Sequence, residues 1–101
     1  MSNHIVIPLA ELAVQDLEAI REYYEEQDVP EIGDRFIKEI VSLVEELKVH
    51  PDRGGIVPEF NSSQLRELTL PPFRVVYRRY KDKIRVVRVW RSERLMRLPE
   101  I

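Results

Sequence analysis

Arginine and lysine side chains are concentrated in one stretch near the end of the chain, FRVVYRRYKDKIRVVRVWRSER, where they alternate with apolar residues. Such cations can bind phosphate groups, and an arginine with aromatic neighbours can also stack on nucleic-acid bases. Because side chains alternate between the two faces of a strand, Phe73, Val75 and Tyr77 should share one face. Arg74 and Arg78 then lie on the other face, where they could bind an anion or only cover the back of a sheet.

The basic stretch belongs to a chain whose net charge is −2. Residues 1–52 contain four bases and thirteen acids, a net charge of −9, whereas residues 53–101 contain twelve bases and five acids, a net charge of +7. This asymmetry indicates an anionic partner for the basic half, either nucleic acid or an acidic protein segment. The alternative is that acidic helices and basic strands neutralise each other within the fold.

The composition argues against several kinds of site. The chain has no cysteine, and its two histidines, His4 and His50, are far apart in the sequence. We therefore expect no disulfide, no metal site and no cofactor. No segment approaches the roughly 20 apolar residues of a membrane span, and the N-terminus lacks the pattern of a signal peptide. We predict a cytoplasmic protein that has no membrane partner.

Apolar periodicity predicts the elements that must position the arginines. HIVIPL predicts an N-terminal strand, and two amphipathic helices are predicted over about residues 9–27 and 30–49, joined by a short link. Residues 56–64 are predicted to form a loop. Three strands should follow, LRELTL, FRVVYRRY and KIRVVRVW, of which the last two form a hairpin.

This order predicts an α+β fold: an N-terminal strand, a two-helix antiparallel hairpin and a twisted, mostly antiparallel sheet, with the helices on one face. With 101 residues, the chain has the length of one domain spanning residues 1–101. We expect the acidic side of the first helix, including Asp16, to face solvent. Arg88 falls in phase with the core positions Ile84 and Val86, which predicts a bulge or a strand end near it.

Three motifs occur in a characteristic order: AVQDLEAIREYY, LKVHPDRGG and LRELTLPPFRVVYRRYKDKIRVVRVWRSER. From about Ile5 to Leu98, the chain resembles the RelE/ParE superfamily of bacterial toxins and is closer to ParE. The resemblance implies the α+β fold above and a growth-arresting toxin of a type II toxin–antitoxin module, of the kind that serves plasmid stabilisation. It also implies neutralisation by a cognate antitoxin, although it does not assign the antitoxin-binding residues. A homodimer is a further candidate assembly.

One activity in the superfamily is ribosome-dependent cleavage of mRNA by RelE-like endoribonucleases. This chemistry needs a group that accepts the 2′-hydroxyl proton, cations beside the phosphate and an acid for the leaving oxygen. By this resemblance Arg74 would face the phosphate, and Arg66 or Glu67 would approximately fill the position at which these nucleases often place a lysine or a glutamate. We predict Arg66 as the second catalytic residue. After Trp90, however, the chain reads RSERLMRLPEI and lacks the tyrosine or histidine that many of these nucleases use.

ParE-like members instead inhibit DNA gyrase and are not known as nucleases. Their last strand commonly continues into a basic tail, which RSERLMRL resembles. We therefore favour gyrase over the ribosome and mRNA as the target, an interpretation in which the chain is not an enzyme. The predicted target-binding residues are then Arg78, Arg91, Arg94 and Arg97. A degenerate, non-toxic member that acts only as a binding partner is a further alternative.

Overall fold

A computed structural model describes residues 7–60 and 62–91. Its elements follow the order α1 (Glu11–Glu26), α2 (Pro30–Glu46), β1 (Gly55–Ile56), β2 (Leu65–Leu70), β3 (Phe73–Tyr80) and β4 (Lys83–Arg91). The predicted α+β fold of two helices and an antiparallel sheet is confirmed. Most of the predicted N-terminal strand lies outside the described residues, although Leu9 forms an isolated parallel bridge with Val86.

The two helices form a closely packed pair. Pro30 begins α2, where its missing N–H costs no helical hydrogen bond. Gly33 lies against Tyr24 of α1, and a Cβ atom at position 33 would lie 3.0 Å from the Tyr24 Cβ. The absence of a side chain at Gly33 therefore allows the start of α2 to approach the end of α1.

The sheet has the order β1-β2-β3-β4, and all of its neighbouring strands are antiparallel. The prediction of a loop over residues 56–64 is wrong at its start, because Gly55 and Ile56 pair with Glu67 and Arg66. The pairing of β3 with β4 shifts register between Val76 and Tyr77. This irregularity confirms the bulge predicted near Arg88.

The sheet has a core on each face. On the helix side, Phe73, Val75 and Tyr77 of β3 are buried, as the alternation predicts. The other face has a smaller apolar cluster, which consists of Val57, Leu65, Val76 and Val87, with Phe60 and Trp90 packed against it. The face that carries Arg74 and Arg78 is therefore basic only at its margins.

Candidate functional site

Arg74 is held between two carboxylates on the face of the sheet that lies away from the helices. Its Nε donates to Oε1 of Glu67 on β2 at 2.6 Å, and its Nη2 forms a further close ion pair with the same carboxylate. Its Nη1 and Nη2 also donate to the two carboxylate oxygens of Glu59, at 2.9 and 3.1 Å. Only 13% of the Arg74 side chain is exposed.

The electrostatics of this trio favour the paired state. The hydrogen bond from Arg74 lowers the pKa of Glu59, and the hydrogen bond to Glu59 is the main factor that raises the pKa of Arg74. With both carboxylates ionised, Arg74, Glu59 and Glu67 carry a combined formal charge of −1. A phosphate that approached Arg74 would therefore meet an excess of negative charge and two competing acceptors.

Arg66 lies on the opposite face of the sheet from Arg74. It is paired with Tyr77, whose side chain belongs to the helix-side core. Its Nη1 donates to the carbonyl oxygen of Gly54 at 3.0 Å, and its Nε is 3.8 Å from the Asp52 carboxylate. The two arginines predicted for an RelE-like nuclease therefore do not converge on one site.

The Tyr77 hydroxyl fixes the loop beside Arg66. It accepts a hydrogen bond from the N–H of Gly54 at 2.9 Å and donates one to the carbonyl oxygen of Pro51 at 2.9 Å. Burial raises the pKa of Tyr77, so the hydroxyl keeps its proton at neutral pH. A buried tyrosine thus holds residues 51–54 against the end of the sheet, and sequence analysis did not assign it this role.

Asp16 and Arg88 form an ion pair that sequence analysis missed. The Asp16 carboxylate accepts hydrogen bonds from Nε and Nη2 of Arg88, at 2.8 and 2.9 Å, and from the N–H of Val89 at 2.8 Å. The Arg88 guanidinium also lies 4.6 Å from the centroid of the Trp90 ring. Only 15% of the Asp16 side chain is exposed, so the prediction that it faces solvent is wrong.

The predicted target-binding arginines lie at different ends of the sheet. Arg78 pairs with Arg85 near the β3–β4 turn. Arg91 ends β4, and its guanidinium lies 5.6 Å from the ring centroids of Tyr23 and of Phe73. Six residues of strand separate positions 85 and 91, a distance of about 20 Å. Arg94 and Arg97 lie outside the described residues, so their position relative to Arg91 stays a prediction.

Comparison with known proteins places the chain in a family. The model of the family described as "ParE toxin of type II toxin-antitoxin system, parDE" matches residues 7–96. The chain belongs to the ParE toxin family. A solved structure described as the chromosomal ParDE TA system from P. aeruginosa contains a similar chain, with 28% sequence identity and a TM-score of 0.72. The match covers 91% of this chain and 100% of that one. No match to a curated protein was found.

This ParE family assignment confirms the resemblance inferred from the sequence motifs. Among the described residues of this ParE family member, no cluster of three or more histidine and acidic side chains could hold a metal ion. None of the helices in residues 7–60 and 62–91 combines the length and apolar character needed to cross a membrane.

Proposed function

We propose that this ParE family toxin inhibits DNA gyrase and is neutralised by a cognate antitoxin. Family membership supports this proposal, because the matching family is that of the ParE toxins of type II modules. The single observation that carries the choice of gyrase over mRNA is the state of Arg74. Its guanidinium is hydrogen-bonded to Glu59 and Glu67 and is largely buried.

An RNA-cleaving site would need a cation that can approach the scissile phosphate. For Arg74 to do so, it would have to leave two carboxylates that are both within hydrogen-bonding distance. Arg66 cannot assist it there, because its side chain points to the helix side of the sheet. The described residues therefore support a binding function better than cleavage.

We place the target-binding surface at the end of β4 and in the basic segment that follows. Arg91 lies against the rings of Tyr23 and Phe73, and this contact with the folded domain supports the proposal that the surface begins at Arg91. Arg94 and Arg97 follow Arg91 at intervals of three residues. In this proposal the three arginines bind acidic groups on the target, a type of contact that mainly sets specificity and association rate.

The test is pulse-labelling after induction of this chain alone in a bacterial host. We expect thymidine incorporation to fall first, while amino-acid incorporation is initially spared. With purified components, the chain should inhibit supercoiling of plasmid DNA by gyrase. Co-expression of a small protein encoded beside the toxin gene should restore growth if that protein is the antitoxin.

Two variants separate the gyrase and mRNA mechanisms. Truncation after Glu93 removes Arg94 and Arg97, and we expect it to abolish toxicity. The double variant Arg74→Gln/Glu59→Gln removes the buried guanidinium together with one partner, and we expect toxicity to persist while thermal melting shows that the domain is folded. An early fall in translation, with mRNA cleavage that disappears in the double variant, would instead establish an RelE-like nuclease. A chain that leaves growth, DNA synthesis and translation unchanged would be a non-toxic member.

A further inference from the structure

The cations without carboxylate partners are concentrated at one end of the β3–β4 hairpin. Arg66, Arg74, Arg79 and Arg88 are all in ion pairs with acidic side chains. Within residues 7–60 and 62–91, four cations of the hairpin have no such ion pair: Arg78, Lys81, Lys83 and Arg85. Outside the hairpin, the described part of the chain has two more cations in this state, Arg35 and Lys38 of α2. Among the described residues, most arginines are therefore paired with carboxylates, but the hairpin end remains positively charged.

The register of the hairpin brings three of these cations, Arg78, Lys83 and Arg85, to one face. Arg78 lies directly opposite Arg85, and Tyr80 lies directly opposite Lys83. Because residues two apart on a strand share a face, the two pairs are adjacent, about 7 Å apart along the strands. Like charges directly opposite each other destabilise a sheet. The Arg78–Arg85 pair thus costs stability in the isolated domain, a cost that a bound anion would relieve.

An exposed aromatic ring accompanies the charges. Tyr80 is 44% exposed, and the Nζ atom of Lys81 lies 5.6 Å from its ring centroid. A planar guanidinium matches two phosphate oxygens, and an exposed ring offers a surface on which a base can stack. An acidic peptide would pair with the charges, whereas a nucleic-acid strand would pair with the charges and also stack a base on the ring. The combination favours a nucleic-acid strand whose bases are accessible.

We propose that the end of the β3–β4 hairpin binds single-stranded nucleic acid. Arg78, Arg85 and Lys83 bind backbone phosphates, and the ring of Tyr80 stacks on a base. This site lies about 20 Å along β4 from Arg91 and does not depend on the proposed gyrase inhibition. Binding can be measured with the purified chain alone, so its failure and the failure of gyrase inhibition are separate results.

The experiment measures the fluorescence anisotropy of a labelled oligo-dT strand as the full chain is added, from about 50 to 200 mM salt. The test variant is Arg78→Gln/Arg85→Gln. The matched control is Arg35→Gln/Lys38→Gln, which changes the net charge by the same amount on α2. We expect the hairpin variant to weaken binding at least about tenfold. The slope of the logarithm of the binding constant against the logarithm of the salt concentration should become less steep by about 1.4, the value for two phosphate contacts on a single strand.

Tyr80 provides a second test that does not change the charge. Tyr80→Ala should weaken binding about fivefold or more, whereas Tyr80→Phe, which keeps a ring, should bind like the parent chain. Oligo-U used in place of oligo-dT distinguishes RNA from DNA, and tight binding of either strand supports the proposal. Thermal melting of each variant checks that the domain is folded.

Three results would overturn the proposal. The first is no binding of either strand by the parent chain at low salt. The second is an equal loss of binding in the hairpin and α2 double variants, which would show attraction by overall charge alone. The third is competition by polyglutamate as strong as that by oligo-dT, together with no effect of Tyr80→Ala, which would identify a site for acidic protein segments.

Discussion

The carboxylate of Asp16 on α1 binds the guanidinium of Arg88 on β4, and the same carboxylate accepts the N–H of Val89. A strand at the edge of the β1–β4 sheet would otherwise leave this N–H without a partner. Two backbone hydrogen bonds between Val86 and residues 8–10 cover the preceding part of the same edge. One acidic residue thus joins the first helix to the outer strand.

Replacement of Asp16 by alanine should be strongly destabilising. It would leave the largely buried Arg88 guanidinium and the Val89 N–H without their acceptor, so we expect a loss of about 2–3 kcal/mol in the free energy of unfolding. Glu18→Ala is the matched control, because Glu18 lies on α1 and is exposed. Urea unfolding of both variants measures the difference. Equal stabilities would show that the Asp16–Arg88 pair contributes nothing.

Periodicity was sufficient to predict most of the fold. The strands β2 and β3 match the predicted segments LRELTL and FRVVYRRY. These strands were predictable because their apolar residues alternate, and because a pair of prolines and a Lys-Asp pair mark the turns that end them. The bulge opposite Val76 and Tyr77 was also predictable, because Arg88 breaks the alternation of β4. The two-residue strand β1 could not be predicted, because so short a strand shows no apolar periodicity in the sequence.

The partners of the arginines could not be predicted. Glu59 reaches Arg74 from a turn fifteen residues away, and Asp16 reaches Arg88 across 72 residues. Sequence alternation assigns a side chain to a face of the sheet, but it does not show which distant carboxylate meets that side chain. Asp16 lies at the edge of the apolar stripe of α1, next to Leu17, which is the one local sign that it faces the protein.

Gly54→Ala should destabilise the domain, although the neighbouring Gly55→Ala should not. A Cβ atom at position 54 would lie 2.7 Å from the carbonyl oxygen of Glu67 and 2.7 Å from the Tyr77 ring, whereas nothing lies within 4 Å of a Cβ at Gly55. We expect a cost of about 1–3 kcal/mol for the first change and less than about 0.5 kcal/mol for the second. Thermal and urea unfolding compare the two, and similar losses would contradict the close contact at Gly54.

Tyr77→Phe should also reduce stability, through hydrogen bonding. The change leaves the buried N–H of Gly54 without its acceptor, and we expect a loss of about 1–3 kcal/mol. Tyr23→Phe is the control, because Tyr23 is 47% exposed. Burial raises the folded-state pKa of Tyr77. The contribution of the Tyr77 hydroxyl to the free energy of unfolding is therefore fully present below pH 10 and is lost as the pH rises through the folded-state pKa. The stability gap between the parent chain and Tyr77→Phe should therefore narrow in alkaline urea titrations, and a constant gap would contradict this assignment.

The ion pair of Glu59 with Arg74 should make acid stability depend on Glu59. The hydrogen bond from Arg74 lowers the folded-state pKa of Glu59 below its ordinary value of 4.5. A carboxyl group with a lowered pKa stabilises the fold above its unfolded-state pKa, and this contribution is lost as the pH falls through the folded-state value. Because the Glu59 side chain is 34% exposed and solvent screens the pair, we expect Glu59→Gln to cost only about 1 kcal/mol at pH 7.

The stability difference between the parent chain and Glu59→Gln should shrink as the pH falls below 4.5, because the parent carboxyl then also becomes neutral. Urea unfolding at a series of pH values between neutrality and acid measures this difference, in which the titration of all other groups cancels. Glu18→Gln is the control, because Glu18 is exposed and has no ion pair within residues 7–60 and 62–91. If the Glu59 difference stayed constant across this range, the carboxylate would not be held ionised by Arg74, and the argument that Arg74 is closed to phosphate would lose its electrostatic basis.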